Sequence, residues 1–344
     1  MHRADKAVLR LAVGMAISVL IAYGLALSLP FVVCVVTLLL LCKPGPPLPF
    51  VKGLVVAGVV GSLLLAGVLM VPLLENYRVA GVAVTAVALY AVYFKGALAA
   101  NPLTTILVVA FTAIPVAGVA DQTLVTALSQ AFAVGLATGM FVNGISHALF
   151  PDPPAPAGAA AARAAVSRET ARWAALQATL VVMPVFVLAL TNPALYLAAI
   201  MKTAGLGQQA GVTNAASAGR ELVGSTLMGA AIAGGVWIGL SLWPVLWMLM
   251  LWVVAATIWG GVRLVGIKAT SWPPSFWVNA LMTMWILLGP AIEDASVGKD
   301  VGSASATRVS LFIAASLYAW AMVWALERWR ASRSGSLFPE RRSE

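Results

Sequence analysis

Apolar runs, most of them near twenty residues long, follow one another along almost the whole 344-residue chain. A helix of about twenty residues crosses a bilayer core of about 30 Å. Backbone in lipid must satisfy its own hydrogen bonds, which leaves only helices or a closed barrel. The runs lack the strict alternation of a lipid-facing strand, and that selects helices. With 61% hydrophobic and 10% charged residues, the composition lies far from that of soluble domains. The expected fold class is therefore an all-α polytopic membrane protein. Twelve transmembrane helices are expected, over 11–29, 31–42, 53–72, 79–94, 103–120, 123–148, 173–190, 193–206, 222–240, 243–261, 275–290 and 309–326.

Two of these are short. The run from Phe31 is cut off by "LCKPGPPLPF", and its twelve residues reach only about 18 Å as a helix. The eighth, 193–206, leads into the polar stretch "TAGLGQQAGVTNAASAG", which reads as a loop. Arg3, Lys6 and Arg10 before the first run imitate a secretory signal. Its apolar core is long and no clear small-residue cleavage site follows, so it reads as a retained helix. Cys34 and Cys42, eight positions apart, would lie about 12 Å apart on one helix, too far for a disulfide.

Twelve spans divide the connecting segments into two alternating sets. One set carries 18 of the 21 basic residues, Lys202 included; the other holds only Arg78, Lys299 and Arg308. The excess of lysine and arginine marks the cytoplasmic side, so both termini and the central linker belong there. The net charge of +9 follows from this topology. The cations are spread over short loops and a basic tail, not clustered on a water-soluble module, so the charge does not indicate a nucleic-acid partner. The tail is expected either to touch anionic lipid headgroups or simply to enforce orientation.

The order of features occurs twice. A first six-helix transmembrane repeat occupies 1–150, a Pro/Ala-rich cytoplasmic linker 151–171, a second repeat 172–326 and a basic tail 327–344. Arg10, a helix, Pro30, a short segment, Lys43 and Lys52 in the first half correspond to Arg172, a helix, Pro193, a short segment, Lys202 and Arg220 in the second. An even number of spans per half makes the repeats parallel, related by an axis along the membrane normal. Short or proline-interrupted segments at corresponding places in two halves point to a substrate site in transporters. Each segment alone also reads as a helix that ends early before an ordinary loop.

Two six-helix blocks, each with a proline-led second helix and a basic residue launching a glycine-rich third ("KGLVVAGVVGSLLLAG", "GRELVGSTLMGAAIAGG"), resemble the fusaric acid resistance and aromatic acid exporter family. The resemblance implies an inner-membrane efflux transporter for small organic, often aromatic, acids, working with a periplasmic adaptor of the membrane fusion type. Larger relatives carry a sizeable cytoplasmic domain after the sixth helix, where this chain has only about twenty linker residues.

An organic anion needs positive potential along its path. Lys43, Lys52, Lys202 and Arg220 fit the inner mouth, each also serving as a topology anchor. Among the neutral polar residues in spans (Gln177, Thr179, Thr104, Thr105, Thr112, Asn143, Thr283 and Asn279), most read as glue between helices, and Asn279 is the preferred pathway residue. No Asp, Glu or Arg lies between the span edges, so proton coupling is left to His147 and Glu221 at their margins. His147 reads first as an interfacial residue bonded to a loop carbonyl, and Glu221 as a carboxylate at a helix start.

Gly135 with Gly139 and Gly235 with Gly239 are close-packing patterns, and the tryptophans of the second half read as an interfacial belt. No nucleotide-binding loop and no His/Cys metal set occurs, so neither ATP hydrolysis, a metal nor any other cofactor is expected, and no enzyme activity. The alternatives that stay open are a non-transporting membrane subunit or scaffold and a lipid-modifying enzyme; self-association into a homo-oligomer is compatible with all three.

Overall fold

The computed structural model describes residues 2–42, 50–99, 103–151, 166–211 and 215–335. Among them there are twelve helices and no strand. They are α1 (Arg3–Gly24), α2 (Pro30–Leu41), α3 (Phe50–Asn76), α4 (Arg78–Ala99), α5 (Thr104–Ala120), α6 (Gln122–Leu149), α7 (Arg168–Thr191), α8 (Pro193–Ala210), α9 (Ala215–Leu242), α10 (Leu246–Leu264), α11 (Pro274–Ser296) and α12 (Val301–Gly335). Nine are long and apolar enough to cross a membrane; α2 and α5 are shorter apolar helices, and α8 is in neither group. The protein is thus an all-helical, multi-pass membrane type.

Local chemistry sets the starts. Proline opens α2, α8 and α11, where its missing N–H costs nothing. Side chains of Asp121, Ser167 and Asn192 accept from the first-turn amides of α6, α7 and α8.

Burial separates the helices into two sets. In α2 every residue from Pro30 to Leu39 is buried, in α5 every one from Thr104 to Ala117, and in α11 every one from Asn279 to Ala291. The second half of α8 is equally enclosed. These four form the centre: α2 packs on α11, α11 on α8, α8 on α5 and α5 on α2. Around them α3 covers α5, α9 covers α11, α6 covers α2 and α12 covers α8, while α1 pairs with α10 and α4 with α7. A helix apolar on every side belongs in such a centre, which explains why α2 and α5 carry no charged side chain.

Small residues set the closest approaches. A Cβ on Gly135 would sit 3.1 Å from the Cα of Val33, and one on Gly139 3.3 Å from that of Thr37, so the first glycine pair does bring α6 onto α2. The second pair acts otherwise: Gly235 faces open space and Gly239 meets the ring of Trp252. Trp243, Trp247 and Trp259 are exposed, whereas Trp277 and Trp285 are buried inside the bundle and so fall outside any interfacial belt.

The polar stretch after 202 is mostly helix. α8 runs to Ala210 and α9 begins at Ala215, with 212–214 outside the described residues. Glycine and polar residues suggested a loop, but the glycines are contact points. A Cβ on Gly207 would lie 2.6 Å from Tyr93 Oη and 3.1 Å from the carbonyl of Ala178. The polar side chains of Thr203 and Gln209 point inward.

Candidate functional site

The extra turns of α8 place Lys202 in its middle, not in a cytoplasmic loop. Its side chain is 0% exposed, among the largest fully buried side chains of the protein. Lys202 Nζ donates to Asn279 Oδ1 at 3.0 Å and to Thr283 Oγ1 at 2.6 Å, both on α11. Asn279 Nδ2 donates in turn to Gln209 Oε1 of α8 and to Ser225 Oγ of α9, each at 2.7 Å. Thr283 passes its own proton to the Asn279 carbonyl at 2.6 Å, and Ser225 to that of Leu222 at 3.1 Å. Five polar side chains from three helices thus form one enclosed cluster.

Sequence spacing explains the arrangement. Asn279 and Thr283 are one turn apart and share a face of α11. Gly229 allows α9 to reach that face, since a Cβ there would lie 2.5 Å from both the Ala280 carbonyl and Thr283 Cβ. Gly205 opens room beside Asn279, whose Oδ1 would be 3.3 Å from a Cβ at that position. Two residues singled out separately in the sequence, Lys202 and Asn279, are brought into direct contact.

The partners of Lys202 are all neutral, and among the described residues no carboxylate pairs with it. A charged group removed from water without a counter-charge is costly, and such groups inside membrane bundles are functional more often than structural. Beyond the cluster lies an apolar cavity of about 420 Å³ between α9, α11 and α12. Its lining begins at Ala230 and Leu287, about one turn past Ser225 and Thr283, and includes Trp237, Ala291 and Val309.

The remaining expected residues fall elsewhere. Lys43 lies outside the described residues, and of Lys52 only the backbone, in α3, is described. Arg220 is exposed at the start of α9, its guanidinium 5.3 Å from the centre of the Trp272 ring. That ring stacks at 4.4 Å on Phe276, one turn before Asn279. The cations expected at one mouth therefore separate into a buried Lys202 and a surface Arg220. Glu221 is half-buried, and its backbone carbonyl lies 3.5 Å from Gln209 Nε2. His147 Nδ1 bonds the Asn143 carbonyl of its own helix at 2.9 Å.

The interhelical glue role is not general. Thr112 and Thr179 bond carbonyls four residues back in their own helices. Among the described residues, side-chain bonds between helices beyond the cluster include Thr226 to Ser316 at 2.8 Å, Tyr93 to the Ala204 carbonyl at 3.1 Å, Tyr318 to the Leu180 carbonyl at 3.0 Å and Ser18 Oγ to Cys34 Sγ at 3.8 Å.

Sequence reasoning missed two features. Gln209 was hidden by reading 203–219 as a loop, and Ser225, inside the expected span 222–240, was not singled out. Glu293 and Asp294 lay beyond the assigned edge of their span at 290, but α11 continues to Ser296 and carries both. Comparison with known protein families, with characterised proteins and with solved structures finds no match to this chain.

Proposed function

We propose that this protein is an inner-membrane secondary exporter of small organic acids, with Lys202 as the residue that recognises the anionic group. The observation that carries the reading is an amine enclosed in the bundle, held in place by Asn279 and Thr283, with no carboxylate to neutralise it among the described residues. An arriving carboxylate supplies that counter-charge, and the apolar cavity one turn further on accommodates the organic body. Neutral oxygens hold the lysine in this structure. They compete weakly with an anion, so capture does not become a trap, as conduction through a membrane requires.

The packing pattern supports twelve crossings arranged as two parallel repeats. Adding six to each helix number turns α1 on α10 into α7 on α4, α2 on α11 into α8 on α5, and α3 on α5 into α9 on α11, counting past twelve back to one. The distribution of basic residues supports cytoplasmic termini. Under this reading α2 and α8 are the paired second helices, both enclosed at the centre and neither on the lipid-facing perimeter. The resemblance to aromatic acid exporters adds the outward direction of transport and the periplasmic adaptor as partner.

The test joins cells and vesicles. Cells lacking the protein should become sensitive to hydrophobic weak acids, and purified protein in proteoliposomes should move phthalate, which crosses bare bilayers poorly. Wild-type protein that neither protects cells nor moves phthalate rejects the proposal. Transport that survives intact in Lys202→Met removes the assigned site while leaving the exporter reading in place.

A further inference from the structure

A second cavity lies on the outside of the bundle, where the start of α7 meets the end of α12 and the middle of α4. It measures about 240 Å³ and is lined by Glu169, Arg172, Trp173 and Leu176 of α7, Arg330 of α12 and Tyr90 of α4. It shares no residue with the Lys202 cluster.

The pocket has an aromatic floor and a charged rim. Trp173 stacks on Trp329 with ring centres 6.0 Å apart and planes 9° from parallel, and the Arg330 guanidinium lies 5.4 Å from the Trp173 ring centre. Tyr90 stacks on Phe94, one turn along α4, at 6.1 Å. On the rim, Arg330 Nη2 is 3.8 Å from Glu169 Oε1, and the Glu169 side chain is 86% exposed. At that distance the two attract without a hydrogen bond, so the carboxylate keeps its capacity to accept one. Arg172, one turn after Glu169, is exposed and pairs with no carboxylate among the described residues. Two guanidinium groups and one carboxylate therefore surround one small hollow, a set that suits a ligand carrying an anionic and a cationic group side by side.

Position narrows the ligand further. Tyr90, Trp173 and Leu176 belong to the apolar spans 79–94 and 173–190, whereas Glu169 and Arg172 precede the second of these and Arg330 follows the span 309–326. The pocket thus straddles the level at which hydrocarbon gives way to headgroups, where tryptophan, tyrosine and arginine collect. It also opens onto lipid. α4 is the least enclosed of the nine helices long and apolar enough to cross a membrane. On the turns that precede Tyr90, Val87 is 70% and Val84 47% exposed, which makes an apolar track leading from the pocket towards the membrane interior. The volume is below the roughly 300–1,000 Å³ of pockets that enclose a whole organic ligand, so it suits a headgroup whose chains stay outside.

We propose that this pocket binds the headgroup of phosphatidylethanolamine, with the phosphodiester on Arg172 and Arg330, the primary ammonium on Glu169 and an acyl chain along Val87 and Val84 of α4. A headgroup with negative charge alone leaves Glu169 facing a like charge. A choline headgroup presents methyl groups where the carboxylate accepts from N–H. The site needs only a chain set in a bilayer and stands apart from the exporter reading.

The test uses purified protein in detergent, with phosphatidylethanolamine or phosphatidylcholine of identical acyl chains added and the lipid-bound fraction read by native mass spectrometry. The two lipids differ only in methylation of the amine, so the phosphate contacts cancel in their ratio. Wild type should hold phosphatidylethanolamine more tightly by about 1.5- to 5-fold, the factor that an ion pair at an accessible surface contributes. Glu169→Gln should hold the two equally, and Arg172→Gln should weaken both while keeping their ratio. Arg263→Gln removes another arginine held on a tryptophan, 3.9 Å from the Trp259 ring centre, and should leave the ratio unchanged. Glycerophosphoethanolamine, the headgroup without chains, should not displace the lipid. Wild type without the preference, Glu169→Gln that keeps it, Arg172→Gln that binds both lipids like wild type, or Arg263→Gln that abolishes the preference overturns the proposal. Displacement by glycerophosphoethanolamine at equal concentration overturns the assignment to a lipid.

Discussion

Lys202→Met is the most informative substitution, because stability and recognition respond to it differently. Methionine fills a similar volume without charge. In the resting protein the change removes two hydrogen bonds, at 3.0 Å to Asn279 Oδ1 and 2.6 Å to Thr283 Oγ1. Thr283 still donates to its own helix, so it loses only an acceptor role. Asn279 Oδ1 becomes an orphaned acceptor, which costs about 1–3 kcal/mol. Replacing a buried amine that has no counter-charge by an apolar side chain of similar size returns its desolvation cost, which is about 1–3 kcal/mol for a buried polar group. The terms nearly cancel, so the melting temperature in detergent should move by no more than a few degrees.

Recognition has no such offset. A hydrogen bond between charged partners contributes about 1.5–3 kcal/mol, which at 1.4 kcal/mol per decade is a factor of about 10 to 150 in affinity. Titration of the purified protein with benzoate and with neutral benzamide, followed by calorimetry or ligand-induced thermal stabilisation, isolates that term. Wild type should prefer benzoate by about that factor, and Lys202→Met should bind both equally. A folded Lys202→Met that retains the wild-type preference for benzoate refutes the assignment of the anion site.

Other expectations follow from named contacts. Asn279→Asp places a carboxylate where Lys202 Nζ now meets an amide oxygen at 3.0 Å, so the variant should be inert to added benzoate, with the site occupied from within; the same titration checks it. Arg308→Met leaves Asp294 buried beside only the distant Lys299 at 3.9 Å, and should cost about 2–4 kcal/mol, largely restored when Asp294→Asn is added; thermal unfolding of single and double variants reads this. Asp300 accepts from the amides of Gly302 and Ser303 at the start of α12, and these bonds with the Ser303 side chain hold its carboxyl below the ordinary range. Its contribution is present at neutral pH and lost as pH falls through that lowered value, so amide exchange at 301–304 should quicken in acid in wild type and already be fast in Asp300→Ala at pH 7.

Helix number, order and most boundaries were legible because apolar runs in lipid permit little else, and all twelve expected spans coincide with helices. Boundaries failed where composition had two meanings. Glycine with glutamine and threonine is the signature of a loop in water, but inside a bundle glycine lets helices touch and the polar side chains find partners across the interface. At α11 the span was ended at Pro290, yet proline removes one hydrogen bond without ending a helix that neighbours support. That single assumption concealed Glu293 and Asp294. Contact between Lys202 and Asn279 is beyond any sequence period, since it depends on how α8 crosses α11.

The packing is closely matched between the halves, but the chemistry is not. Pro30 opens α2 as Pro193 opens α8, and in that alignment the place of Lys202 is taken by Leu39, buried like every residue from Pro30 to Leu39. Thr37 is the one polar side chain on that stretch. A bundle with the same polar cluster in both halves would bring two uncompensated amines to one centre, and like charges at short range in a medium of low dielectric repel strongly. In the exporter reading one lysine avoids that repulsion and still provides a counter-charge for a carboxylate. The other two central helices, α2 and α5, carry threonine as their only hydroxyl side chains, so in the exporter reading the counter-charge for the anion comes from one half alone.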